Sequence, residues 1–126
     1  LNLFESAVDL LSYGTMQKLD GKDWRHENLL SLAGVYKPKA RIEESSLPVA
    51  LVQYLADYPH IRKVVLRLDN DPAGRIAAAT IKNLLTKRYA VTVDIQPSPQ
   101  GKDYNDCLCL RLGLPITKRG ERSKER

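Results

Sequence analysis

The chain holds only two cysteines and two histidines, and it has no unbroken apolar run near the roughly 18 residues that a membrane span requires. Cys107 and Cys109 stand two apart in a helical pattern, which sends them to different sides, so neither a disulfide nor a thiolate metal site is expected. His26 and His60 lie in polar connections with no carboxylate or cysteine at ligand spacing around them, and both are expected to be solvated. No signal-peptide pattern is present, and the expectation is a cytosolic protein with no membrane segment. Opening on Leu1 rather than Met, already inside a strand pattern, the chain is expected to be a segment of a longer protein with further domains.

What is there suits one globular domain: 126 residues, 43% of them hydrophobic. The net charge of +5 is uneven, since the last nine residues set five cations against two carboxylates and carry +3 of it. The body is left with about +2, which permits a phosphate backbone as partner without demanding one. The expected organisation is a domain over 1–115 and a basic, disordered tail over 116–126.

The remainder is organised around residues 64–85. Residues 64–68, Val-Val-Leu-Arg-Leu, are β-branched and nearly all apolar, as in a strand covered on both faces of a parallel sheet. Asp71 is a natural N-cap and Pro72 a natural first helical residue. Ala77, Thr80, Ile81, Leu84 and Leu85 then recur at spacings of three and four, an inward stripe with Lys82, Lys87 and Arg88 off it. Strand ends of this kind are where open α/β sheets bind ligands. Asp69 and Asp71 are either a strand end and a helix cap, or two carboxylates aimed into one volume, where their repulsion calls for a hard cation or a proton. An EF-hand is excluded, because its fifth position would be Ala73 and its twelfth Thr80.

The same order of strand, acid and helix opens the chain: 1–4, then Glu5, then a helix from the Ser6 cap to about residue 19. Asp9 completes a capping box with Ser6 or supports a site, whereas Glu5 precedes the cap and has no helical role. A turn over 20–23 and a polar connection containing Trp24, a packing residue, lead to a strand over 29–34 closed by Gly34. After a loop over 37–46, Ser45 or Ser46 caps a helix over 47–58 with Val49, Val52 and Leu55 or Ala56 inward. Residues 89–95 alternate like a strand near an edge, 96–100 form a loop, and 101–106 bring further acids ahead of a short helix over 107–112, with Asp103 starting a turn and Asp106 capping.

Together these pieces resemble the Toprim domain, shared by bacterial DNA primases, type IA and type II topoisomerases and some nucleases, over 1–113. Glu5 followed by Asp9 is similar to the primase Glu-Gly-x-x-Asp signature, with Ser6 in place of glycine. Ser31-Leu32-Ala33-Gly34 is similar to its Ser-Leu-Gly stretch, and Asp69-Asn70-Asp71-Pro72-Ala73-Gly74-Arg75, followed by Ala77 and Ala78, resembles its Asp-Gly-Asp-x-Ala-Gly-x-x-Ala-Ala run. Gly101-Lys102-Asp103 stands where primases have Gly-Glu-Asp-Pro-Asp, but the next acid is Asp106, which leaves the last ligand open between Asp103 and Asp106. Segments of this kind also resemble parts of plasmid and mobile-element proteins of replication or DNA mobilisation.

The resemblance implies an α/β Toprim fold, Rossmann-like, with four mainly parallel strands between helices and the acids at the carboxyl edge. It implies that Glu5, Asp69, Asp71 and Asp103 or Asp106 hold one or two Mg²⁺ ions, with Mn²⁺ as a substitute. Glu5 is then also the general acid or base, Asp9 supports it, and Arg75 and Lys102 meet phosphate. The implied function is metal-dependent phosphoryl or nucleotidyl transfer on DNA or RNA, single-stranded, with primer synthesis preferred over nuclease action. Topoisomerase-type cleavage stands further off, since that reaction takes its tyrosine from elsewhere in its protein. From a different class, a non-catalytic module that binds nucleic acid or docks a partner would keep the acids for Mg²⁺-dependent shape.

Overall fold

The computed structural model describes residues 1–32 and 45–116. The strands are β1 (Asn2–Phe4), β2 (Leu29–Ser31), β3 (Lys63–Leu66) and β4 (Thr92–Ile95), and the helices are α1 (Ala7–Leu19), α2 (Val49–Asp57), α3 (Pro72–Arg88) and α4 (Tyr104–Arg111), with one 3₁₀ turn at Trp24–His26. Among the described residues the strands form one sheet, all parallel, in the order β2-β1-β3-β4. This is the expected α/β architecture of four parallel strands between helices, and β4 lies at an edge as its alternation suggested.

The pleat sorts the core into two. Leu3, Val64 and Leu66 face Leu51 and Leu55 of α2 and Ala77, Ile81, Leu84 and Leu85 of α3. Phe4 on the opposite face packs with Tyr13 and Met16 of α1 and Tyr104 and Cys107 of α4. Cys107 and Cys109 are both free thiols, one buried and one half-buried. The whole stripe expected of α3 is buried.

Five boundaries and one face differ from expectation. β3 ends at Leu66 because Arg67, still donating its N–H to the Leu3 carbonyl at 2.8 Å, makes the last rung of the ladder. β4 begins only at Thr92, since Tyr89 is the C-cap of a longer α3. β2 stops at Ser31, although the Leu32 N–H still reaches the Phe4 carbonyl at 2.8 Å; Gly34 and most of the 37–46 loop lie outside the described residues, as do residues 117–126 of the expected tail. The N-cap of α2 is Pro48, without a side-chain cap, rather than Ser45 or Ser46. Its inner face is Leu51 and Leu55 in register with Leu47, while Val49 is 85% exposed and Val52 39%, so the longer leucines took the core at the same helical period. α4 starts three residues early, because Asp103 rather than Asp106 is its cap.

Candidate metal centre at the carboxyl edge

Three strand ends supply the acids. After β3 the chain turns through Asp69 and Asn70 to Asp71, whose Oδ1 accepts the Gly74 N–H at 2.7 Å and so caps α3. A Cβ on Gly74 would stand 2.0 Å from the Asp69 carbonyl oxygen, so only glycine lets the helix start lie directly on the strand end. Asn70 N–H donates to the Lys102 carbonyl at 2.5 Å, which ties this turn to the one after β4.

After β1 the cap is a hydroxyl. Ser6 Oγ accepts the Asp9 N–H at 3.3 Å and donates to Asp9 Oδ2 at 2.9 Å, while Asp9 Oδ1 accepts the Asn105 N–H at 3.2 Å. Asp9 is therefore held between two helix starts and is 4% exposed. After β4, Asp103 Oδ1 accepts the Asp106 N–H at 2.8 Å, and Asp106 Oδ2 accepts the Lys102 N–H at 3.1 Å, a reciprocal box in which both carboxylates serve the start of α4. Gly101 makes that turn possible, with φ of 75° and an Asp106 Cβ only 2.5 Å from where its own would stand.

These turns bring one carboxylate oxygen each of Asp9, Asp69 and Asp103 within 4.8 Å of one another. Glu5 lies close enough to Asp69 for the two carboxyls to share a proton in a hydrogen bond, and its buried Oε2 has no other hydrogen-bond partner among the described residues. Burial first, and Glu5 second, push the Asp69 carboxyl up to about 7. Burial and then Asp103 push Asp9 up to about 6, against the hydrogen bonds from Asn105 and Ser6. The cation nearest to hand is Lys102, with Nζ 3.6 Å from Asp69 Oδ2 and 3.7 Å from Asp71 Oδ2. Oxygen-only donors, crowded and short of positive charge, are the donor set of a hard divalent ion, so the residues fit Mg²⁺.

Of the residues singled out in the sequence, Glu5, Asp9, Asp69 and Asp103 thus converge, and Asp71 adjoins them through Lys102. Asp106 is turned back onto the Lys102 backbone, which leaves Asp103 as the acid of this turn that joins the group. Lys102 points at carboxylates rather than outward, while Arg75 is exposed, its Nη1 on Asn70 Oδ1 at 3.1 Å with no carboxylate in ion-pair reach among the described residues. His26 sits exposed beside Asp23 at 3.2 Å and His60 is exposed, as expected. Trp24 is 42% exposed, a partial packing residue at most.

Sequence reading missed Arg67. Its guanidinium lies 4.5 Å over the Tyr13 ring and 5.8 Å from that of Tyr104, inside an aromatic group with Phe4 whose members stand far apart in the chain. A charge inside an otherwise apolar strand was the one available signal.

A family model described as Toprim-like matches residues 2–108. No curated protein and no solved structure matches the chain.

Proposed function

The chain belongs to the Toprim-like family, whose domains generally act on nucleic acid with a metal ion held by acids, and from that premise we propose that it is the catalytic part of a nucleotidyl-transferring protein, primer synthesis its preferred reaction. The observation that carries this reading is the convergence of Asp9, Asp69 and Asp103, with Glu5 against Asp69, at the carboxyl edge of a parallel sheet. Preference for primer synthesis over strand cleavage rests on the run from Asp69 to Arg75 and its likeness to primases.

Asp69 and Asp103 would hold Mg²⁺ or Mn²⁺ with Asp9, and Asp71 would offer its Oδ2 from the flank. The ion, when bound, neutralises phosphate oxygens and lowers the charge that builds on the attacking and leaving oxygens. Glu5 would take the proton of an attacking hydroxyl, a role supported by its buried Oε2 beside Asp69. Lys102, beside Asp69 and Asp71, would turn to phosphate, and Arg75, carrying its charge into solvent at the start of α3, would contact a phosphate of the strand. The partner is single-stranded DNA or RNA, and further domains of the parent guide the template. Two free thiols suit a cytosolic setting.

The test is to follow a labelled single strand with nucleoside triphosphates and Mg²⁺ or Mn²⁺, using the full parent protein. Extension products that vanish in Asp69→Asn and in chelator carry the proposal, shortened strands favour the nuclease, and a protein that neither extends nor cuts, and melts identically with and without the ions, overturns it.

A further inference from the structure

Apart from the acids, a second feature of the chain is built to receive a ligand. A groove of about 600 Å³ lies between α1, α4 and the loop after β4, with Arg67, Tyr104, Lys22 and Arg111 in its lining. None of Glu5, Asp9, Asp69, Asp71 or Asp103 lines it. Its volume lies in the roughly 300–1,000 Å³ range of small-molecule sites.

The floor is a fixed cation. Arg67 Nε donates to Asn2 Oδ1 at 2.7 Å, and Nη1 to Tyr104 OH at 2.9 Å and Gln96 Oε1 at 3.3 Å. All three acceptors are neutral. Among the described residues no carboxylate comes within ion-pair distance of this guanidinium, and its Nη2 donors have no hydrogen-bond partner. A half-buried guanidinium held by neutral acceptors, one face on Tyr13, presents its remaining edge as a preorganised fork for an oxyanion. The rim adds Lys22, exposed and without an ion-pair partner among the described residues, and Arg111, which holds Asp20 at 2.6 Å. Three cations against one carboxylate leave the groove positive.

Its walls combine flat apolar and amide surface. Pro97 and Pro99 offer flat apolar surface, and Gln96 and Gln100 bring amides that both donate and accept. We propose that this groove binds a nucleotide unit, with its phosphate on the Arg67 Nη2 edge and its base along the proline wall, as a site separate from the acids. Free nucleotides and nucleotides within a strand share that chemistry. Tyr104 follows the α4 cap Asp103 directly, so an occupied groove would brace the turn that carries one of the converging acids.

The choice of a nucleotide rests on the nucleic-acid reading, but the test keeps the two apart by working in chelator, where no ion is held at the acids. Adenosine 5′-monophosphate, adenosine and a short single-stranded oligonucleotide are titrated calorimetrically into the wild-type chain, Arg67→Lys and Lys22→Glu. The expected result is binding of the monophosphate at least tenfold tighter than adenosine, and a loss of tenfold or more in Arg67→Lys, which keeps the charge but not the fork. Lys22→Glu, an exposed change that leaves the core alone, should weaken binding severalfold, and the oligonucleotide arm tells a strand site from a free-nucleotide site. Equal affinity for adenosine and its monophosphate, no binding of either phosphorylated probe, or undiminished binding by both variants overturns the proposal, whether or not the acids hold a metal.

Discussion

The units that begin at β1 and at β3 have the same order of strand, acid and helix, yet they spend their acids differently. At β3 the cap is Asp71, so one of two carboxylates is committed to the Gly74 N–H and Asp69 is left. At β1 the cap is Ser6, a neutral hydroxyl, so Glu5 is left to the cleft and Asp9 joins it while also accepting from Ser6 Oγ and the Asn105 N–H. A helix start needs an acceptor but not a charge. Choosing serine at one start and aspartate at the other sets how many carboxylates each strand end contributes, and α4, capped by Asp103, shows that a capping acid can still lend an oxygen to the group.

The harshest way to break the comparison is to push the β3 unit apart. In Gly74→Ala the new methyl would meet the Asp69 carbonyl oxygen at 2.0 Å, backbone that cannot rotate away. The expected cost is about 3 kcal/mol or more, with loss of any Mg²⁺ response because Asp69 is displaced. Gly14, in the middle of the helix of the β1 unit, has its nearest contact at 3.9 Å on the Trp24 ring, so Gly14→Ala should be neutral or stabilising. Denaturant melts of both variants check the contrast, and equal stability would mean that α3 does not lie on the strand end as described.

Asp69→Asn acts on charge instead of shape. Asp69 is crowded by Glu5 and Asp103, and in chelator this repulsion is relieved when one charge is removed, so the variant should melt above wild type. Millimolar Mg²⁺ reverses the order. At about a hundred times its dissociation constant an ion that binds only the folded state adds roughly 2.7 kcal/mol, and the variant should lose at least half of that gain. An Asn variant that melts below wild type in chelator, with the Mg²⁺ gain intact, would make Asp69 an ordinary strand end.

The pH dependence follows from the same crowding. Asp9 and Asp69 both have folded values raised from the ordinary 3.8, to about 6 and about 7. A raised acid binds its proton more tightly when folded, so the stability it confers is whole below the unfolded value and is lost as pH rises through the folded one. In chelator the melting temperature should therefore fall between about pH 4 and pH 7, less steeply in Asp69→Asn, and saturating Mg²⁺ should flatten the slope. A profile that rises over that interval would show that neither acid is crowded.

Much of this arrangement was legible in the sequence because it is local. The Asp71-Pro72 start of α3, the Ser6 start of α1 and the inward stripe from Ala77 to Leu85 depend on neighbours within a turn or two, and all are found. What was not legible depends on partners far away. Whether leucines or valines of α2 face inward could not be settled by a period that both satisfy; the sheet decided it. Asp103 and Asp106 are both good caps, and the choice between them is made by Gly101, whose turn seats Lys102 N–H on Asp106. The central place of Asp9 needs the Asn105 N–H from a helix 96 residues further on. Arg67 belongs to an aromatic group drawn from positions 4, 13 and 104, which no periodicity connects.

The finest test of the comparison is to give the β3 unit the cap of the β1 unit. Asp71→Ser replaces one good N-cap by another, so helix α3 should keep its start at a cost within about 0.5 kcal/mol. The Oδ1 bond to Gly74 N–H is inherited by the serine hydroxyl, whereas Oδ2, now 3.7 Å from Lys102, disappears. Since the three converging oxygens belong to Asp9, Asp69 and Asp103, most of the Mg²⁺ gain should survive, and Lys102, with only Asp69 left, should hold its place less firmly. The same melts with and without Mg²⁺ decide it. If Asp71→Ser loses as much of the gain as Asp69→Asn, the cap is also a principal ligand, and the two strand ends contribute two carboxylates each after all.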